Sequence, residues 1–396
     1  MQISDLKAKA QSFEIPSVPE LPSLPDLPAL PEGPIVPGRG KTCAYIAVVL
    51  SCLSLLTVLA IKFPTYLTVA ELRDAYGPSI AGIRLVLQAG MIGAAGLALF
   101  NIARDMKLLP ATITLVLLAA AQLLGGADVV VGEITATPIS AGVDWLVISL
   151  LVVGGAFIVI EKAAPLNKGQ PILREKWVLD MKYFVINHLL LGFFVVFTNT
   201  ALNALFAWAQ YDATAVALAQ VHPVLQFFMI MVLIDLMQYA THRIMHEVSF
   251  LWKFHAVHHS SEKLDWLASS RMHVLEPLVM RVAMLTPIFI LGFGEGVVNI
   301  YAAFVGIQAI LLHANVKAEF GLFEKIFVVT RHHHWHHANE EQAINKNYAV
   351  HFPIIDRIFG TMLDVDGWPK AYGVSETLPD SVLGQAAYPF MPSKAA

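Results

Sequence analysis

Apolar runs long enough to cross a bilayer, about 17–25 residues each, recur along the chain near 44–62, 80–100, 109–126, 142–160, 184–207 and 217–239. Two more, near 277–293 and 296–312, are joined by a tight Gly-Phe-Gly-Glu-Gly turn at 292–296. The pattern predicts an all-α polytopic membrane protein with about eight transmembrane helices. The first run lies too far from the start, behind a proline-rich tail, to read as a cleaved signal peptide. In that tail proline returns every third residue from Pro16 to Pro37, the period of a polyproline II helix. A second edge of the same helix carries Val18, Leu21, Leu24, Leu27, Leu30 and Val36, and a third carries Glu20, Asp26 and Glu32. The segment reads as a stiff tail or as an amphipathic rod that docks on the protein or a partner, with a short helix possible over 1–15.

Composition agrees with the pattern. Of 396 residues, 56% are hydrophobic and 14% charged, and the mean hydropathy is +0.62. Soluble domains carry about 25% charge. A net charge of −4 and the lack of a long basic run exclude a nucleic-acid partner. Two cysteines, Cys43 and Cys52, supply neither a disulfide framework nor a CxxC metal site. Lys and Arg crowd the connection 161–183, whereas 208–216 and 291–297 have none. By the positive-inside rule, both termini and the histidine-rich region are expected on the cytoplasmic side. The membrane would be a bacterial inner membrane or the endoplasmic reticulum.

Histidine is the anomaly. There are 15, and all but His188 and His222 fall between His242 and His351. His242 and His246 form an HxxxH at the end of the sixth run. His255, His258 and His259 form an HxxHH, and His333, His336 and His337 form another. Spacings of three and four residues put the rings of each motif on one helix face. His273 and His313 flank the last two runs. The topology lets all ten meet at one membrane-surface layer, although they lie up to 95 residues apart. A tetrahedral zinc needs four ligands, so ten imidazoles imply two metals in a histidine-rich helical cap. All-nitrogen ligation suits Zn, Fe, Cu or Ni. Asp235 and Tyr239 share a stripe with His242 and His246. Asp235, costly at membrane depth, is expected to hold the ring N–H of a ligand histidine, and Glu276 can do the same. His188 and His222 read as structural or cavity residues, and His334 and His351 as non-ligands. His332 is left open.

These residues carry a resemblance. Asp235…Tyr239…His242-Arg243…His246, the run Leu251 to Ser260, Ser270-Arg271-Met272-His273, His313-Ala314-Asn315, the 333–337 HxxHH, Asn347-Tyr348 and Asp356 to Thr361 resemble the fatty acid hydroxylase/sterol desaturase superfamily. The likeness covers about 225–362. It departs at Ala349, Ile355 and Thr330, positions that bear on loop packing more than on ligation. It implies a non-haem site of two iron ions held by His242, His246, His255, His258, His259, His313, His333, His336 and His337. His273 matches only the sterol-desaturase-like branch. It further implies use of O2 and two electrons to hydroxylate or desaturate an unactivated C–H bond of a lipid drawn from the bilayer.

No fused haem or flavin segment is visible, so a separate electron donor is expected, of cytochrome b5, ferredoxin or reductase type, docking near Lys253, Lys263, Lys325 and Arg331. The expected organisation is a tail over 1–41, a four-span region over 42–182, a catalytic domain over 183–365 and a C-terminal tail over 366–396. The main alternative is a histidine-rich metal transporter, which should scatter ionisable residues mid-span on several helices. A metal-dependent lipid hydrolase is a further rival, and it has little use for so many imidazoles.

Overall fold

The computed structural model describes residues 41–391, apart from 106, 107, 136 and 138. The proline-period tail and the helix considered over 1–15 lie outside the described residues. Within them, helices α1 (Lys41–Lys62), α2 (Ala70–Asp105) and α3 (Leu108–Leu123) pack side by side. Ala47, Ala98 and Ala111 meet at one level, and Val58, Ile61, Leu87 and Ala121 at another. Small side chains let helix backbones approach where no water drives association. Arg84 Nη2 donates to the Val129 carbonyl at 2.9 Å, while its Nε is buried without a hydrogen-bond partner.

α4 spans Val143–Ala163 and contains a π-helical turn at Ser149–Gly154. Beyond it come α5 (Trp177–Leu189), α6 (Leu191–Phe206), α7 (Pro223–Glu247), α8 (Ser249–His259), α9 (Glu276–Leu291) and α10 (Glu295–His313). Seven described helices are long and apolar enough to cross a membrane. The run expected over 277–293 is α9, which has 16 residues. At 1.5 Å per residue it reaches only about 24 Å, short of a hydrocarbon core of about 30 Å. The run read as 184–207 is broken at Leu190 into α5 and α6. The run read as 217–239 starts later, because Pro223 opens α7 at the first helical position, where its missing N–H costs nothing. α7 then continues to Glu247, which carries Asp235, Tyr239, His242 and His246 on one helix.

α9 and α10 form the expected hairpin. Gly292 closes it with φ +74°, and a Cβ there would lie 2.7 Å from that of Ala215, so only glycine fits. The cap is made by α8, α11 (Thr330–His336), α12 (Pro353–Phe359) and the loops between them. The segment after 365 folds back through α13 (Val382–Ala387). Tyr183 donates to Gln385 at 2.8 Å, and Lys253 donates to the Met391 carbonyl at 3.0 Å. No strand occurs among the described residues, only two isolated bridges, Pro165 with Val316 and Ala338 with Tyr372.

Candidate metal centre

Four helices and their ends deliver the imidazoles. α7 contributes His242 and His246 one turn apart, and α8 contributes His255, His258 and His259. His313 closes α10, and α11 with its C-cap supplies His333, His336 and His337. The rings sort into two groups. His242, His246, His255, His259 and His336 form one, and His258, His313, His333 and His337 the other, with donor atoms inside each group within 4.8 Å of one another. The groups adjoin: the His259 and His337 rings stack with centroids 4.3 Å apart.

The hydrogen bonds on the far side of each ring decide what the near side can do. Nδ1–H of His242 donates to the Tyr348 carbonyl at 3.0 Å, that of His258 to Arg271 at 2.9 Å, that of His313 to Ala309 at 2.7 Å and that of His336 to Lys346 at 2.8 Å. His255 Nδ1 lies 2.8 Å from Glu276 Oε1. A carbonyl only accepts, so His242, His258, His313 and His336 carry the proton on Nδ1 and present a bare Nε2, and the ionised form of Glu276 sets the same tautomer on His255. Those bare atoms then face each other. Nε2 of His242 and His255 are 2.9 Å apart, and Nε2 of His258 and His313 are 3.1 Å apart.

Burial, with the neighbouring rings, keeps the imidazoles neutral. It pushes His255 down to about 3 and His258 to about 4, and it holds His259, His333, His336 and His337 well below the usual histidine range. Neutral lone pairs pressed together repel one another unless a cation lies between them. His246 Nε2 and His336 Nε2 are likewise buried without a hydrogen-bond partner, a state that proteins otherwise avoid. Two metal–nitrogen bonds of about 2.0–2.1 Å at a right angle place the nitrogens about 2.9 Å apart, whereas a tetrahedral angle gives about 3.4 Å. The donor set therefore fits a metal pair, and the 2.9–3.1 Å spacings fit ions with more than four ligands.

The remaining candidates are placed differently. His273 stands outside both groups: its Nδ1 accepts the Leu275 N–H at 3.2 Å, and its Nε2 lies 3.1 Å from the Ala386 carbonyl. Both nitrogens are engaged, and the ring fastens the C-terminal segment. Asp235 does not touch a histidine ring. Its carboxylate accepts the backbone N–H groups of Val350, His351 and Phe352 at 2.7, 3.1 and 2.7 Å. It thereby holds the loop whose Tyr348 carbonyl orients His242. Tyr239 Oη meets Thr361 Oγ1 at 2.9 Å and accepts from Arg243 at 3.2 Å. Among the described residues Glu276 is the one carboxylate hydrogen-bonded to a ring of either group; burial raises it to about 7.

His332 accepts the Val329 N–H, His334 meets Tyr372 Oη and the Ala314 carbonyl, and His351 meets Tyr301 and Gln308. His188 bonds to the Phe184 carbonyl, and His222 caps α7. Sequence reasoning missed the backbone carbonyls of Arg271, Ala309, Lys346 and Tyr348, which no side-chain pattern announces. It quoted Asp356 only within the resemblance and gave it no role, whereas Asp356 accepts the N–H groups of Tyr348 and Ala349 at 2.8 and 3.0 Å. Its place nine residues after Asn347, in a run of apolar residues, was the available signal.

Residues 227–361 match the family model described as Fatty acid hydroxylase. The chain is 31% identical over 156 residues to an ornithine lipid hydroxylase of Rhizobium tropici, covering 38% of this chain and 46% of the relative. It is 29% identical over 145 residues to the alkylglycerol monooxygenase of Homo sapiens, covering 37% and 32%. For the alkylglycerol monooxygenase of Caenorhabditis elegans the figures are 29% over 127 residues, 32% and 25%. The chain thus spans less than half the length of these relatives. No solved structure matches.

Proposed function

The chain belongs to the fatty acid hydroxylase superfamily through its 227–361 segment, and from that premise we propose that this integral membrane protein is a non-haem di-iron oxygenase that hydroxylates an unactivated C–H bond of a lipid. The observation that carries the reading is the pair of adjoining histidine groups with bare Nε2 atoms turned inward. Iron bound there would supply the O2 chemistry that no side chain can perform. In the net reaction one oxygen atom enters the C–H bond and the other leaves as water, with two electrons and two protons taken up.

The chain's own residues do the rest. Backbone carbonyls hold Nδ1 of His242, His258, His313 and His336, and Glu276 orients His255. The buried cap keeps bulk water from the reacting atoms. The lipid approaches sideways from the bilayer between apolar helices. Hydroxylation is favoured over desaturation because the relatives above are named as a hydroxylase and as monooxygenases.

We assign the cap to the cytoplasmic face, on the Lys and Arg asymmetry of the loops, and the electrons to a separate carrier docking there. Arg331 is tied to Glu324 at 2.6 Å, so Lys253, Lys263 and Lys325 are the cations that would meet an acidic carrier. The transporter reading has little to stand on, because the histidines gather in two adjoining groups and Asp235 within its span is committed to backbone N–H groups.

The test is lipid mass spectrometry of cells with and without the protein, joined to metal analysis of the purified chain. A product heavier by one oxygen at a defined carbon and about two irons per chain are expected. His258→Ala should abolish turnover while the protein still inserts. An active, iron-free preparation would refute the proposal.

A further inference from the structure

The two histidine groups are supported from different parts of the chain. In the five-histidine group the acceptors that orient His242, His255 and His336 are Tyr348, Glu276 and Lys346, all within the family-matched segment 227–361. The acceptors behind the rings of the four-histidine group, Arg271 and Ala309, lie within it as well, but their surroundings are held by residues before it. His258 donates to the Arg271 carbonyl. Arg271 Nε is paired with Asp180 Oδ1, whose other oxygen takes Arg174 at 2.6 Å, and Arg174 also meets Asp265 at 2.9 Å. All four of these charged side chains are buried. Two guanidinium groups and two carboxylates balance, so each charge depends on the others.

A second line of support reaches His313. Two residues after it, the Asn315 N–H donates to Glu161 Oε1 at 3.0 Å, and the Trp266 N–H donates to the same oxygen at 2.7 Å. Asn315 and Asn167 exchange further bonds: the Asn167 N–H donates to Asn315 Oδ1 at 2.8 Å, and Asn315 Nδ2 donates to the Asn167 carbonyl at 3.2 Å. The Lys317 N–H donates to the Ala164 carbonyl at 2.8 Å. Around these bonds Leu146 and Phe157 of α4, Phe184 of α5, Trp266, and Ala314 with Val316 form one apolar core.

From this asymmetry we infer that Glu161, Arg174 and Asp180, at the end of α4, in the connector that follows and at the start of α5, are positioning residues for one metal of the pair, the ion of the four-histidine group. The inference rests on the dimetal reading above. It gives the four-span region a part in the chemistry, since its last helix and connector complete a site whose ligands all lie elsewhere. The five-histidine group is tied to the network more remotely, through the Arg271 bonds to Ser260 at the end of α8, and its ion is expected to be retained.

The experiment loads purified full-length protein with ferrous iron and counts metal per chain in wild type, Asp180→Asn and Glu161→Gln. At unchanged side-chain size Asp180→Asn removes the charge that pairs with Arg271, and Glu161→Gln leaves a weaker neutral acceptor for the 266 and 315 amides. Iron should fall from about two to about one per chain. Adding His337→Ala to either variant should remove no more, whereas adding His246→Ala should take the count towards zero. A purely structural role would not produce that split. Two irons retained in both variants, or equal loss from both groups in a chain with unchanged helix content, would overturn the inference. Should Asp180→Asn fail to fold, the isosteric Glu161→Gln decides. Wild type that binds no metal would instead refute the dimetal reading itself.

Discussion

At the scale of single residues, position in the hydrogen-bond pattern separates the histidines that can bind metal from those that cannot. His351 illustrates the second kind. It is buried, donates from Nδ1 to Gln308 Oε1 at 2.7 Å and meets Tyr301 Oη at 2.8 Å. Burial pushes it down to about 4, so it stays neutral in the folded chain. The unfolded chain, near the ordinary value of 6.5, takes up a proton first as pH falls. Its contribution to stability is therefore complete above about pH 6.5 and is lost progressively towards pH 4. The loss amounts to about 3 kcal/mol at most. Melting of the metal-free protein between about pH 7 and pH 4.5 checks this. The wild type should lose more than His351→Gln, since the other histidines cancel in the comparison.

At the scale of elements, α4 brings the four-span region into close contact with the cap. A Cβ on Gly154 would lie 2.8 Å from the Trp266 ring, whereas one on Gly155 would meet nothing within 4 Å. The π-helical turn that ends at Gly154 is a device often found at functional sites, and here it opens room for the indole. Gly154→Val should destabilise by about 1–3 kcal/mol, the usual cost of overpacking, and Gly155→Ala should be neutral or slightly stabilising. Thermal melts of the two variants in the same detergent provide the comparison. Equal melting temperatures would mean that the contact does not matter.

Helix boundaries were legible in the sequence where punctuation was strong, as at the 292–296 turn. They were illegible where a run of uniform apolarity hid a break. Leu189-Leu190-Leu191 carries no break of its own, and Gly192, which lets the Ser140 carbonyl approach closely, was the available signal. The length of α9 escaped for the opposite reason. Its apolar run continues into Phe293 beyond the left-handed Gly292 that stops the helix.

At the scale of the whole molecule, metal and fold should be coupled. Rings whose lone pairs face one another at 2.9 and 3.1 Å strain the metal-free state, and a ligand that binds only the folded chain stabilises it by mass action. At a free metal concentration of about 100 times Kd this is worth about 2.7 kcal/mol per site. Chelation should lower the melting temperature, and re-addition of iron should restore it. No change on either step would argue against an internal metal pair.

Apolar run length and histidine spacing alone determined that the chain is helical, lies in a membrane and carries imidazoles of ligand spacing on helix faces, because both properties are local. Tertiary structure alone decided how the rings divide into five and four, that His273 and Asp235 serve the backbone instead, and that Asp180 meets Arg271 and Glu161 the 266 and 315 amides from outside the matched segment. Those outcomes depend on which carbonyl or carboxylate lies behind each ring, and neighbours of that kind are brought together only by folding.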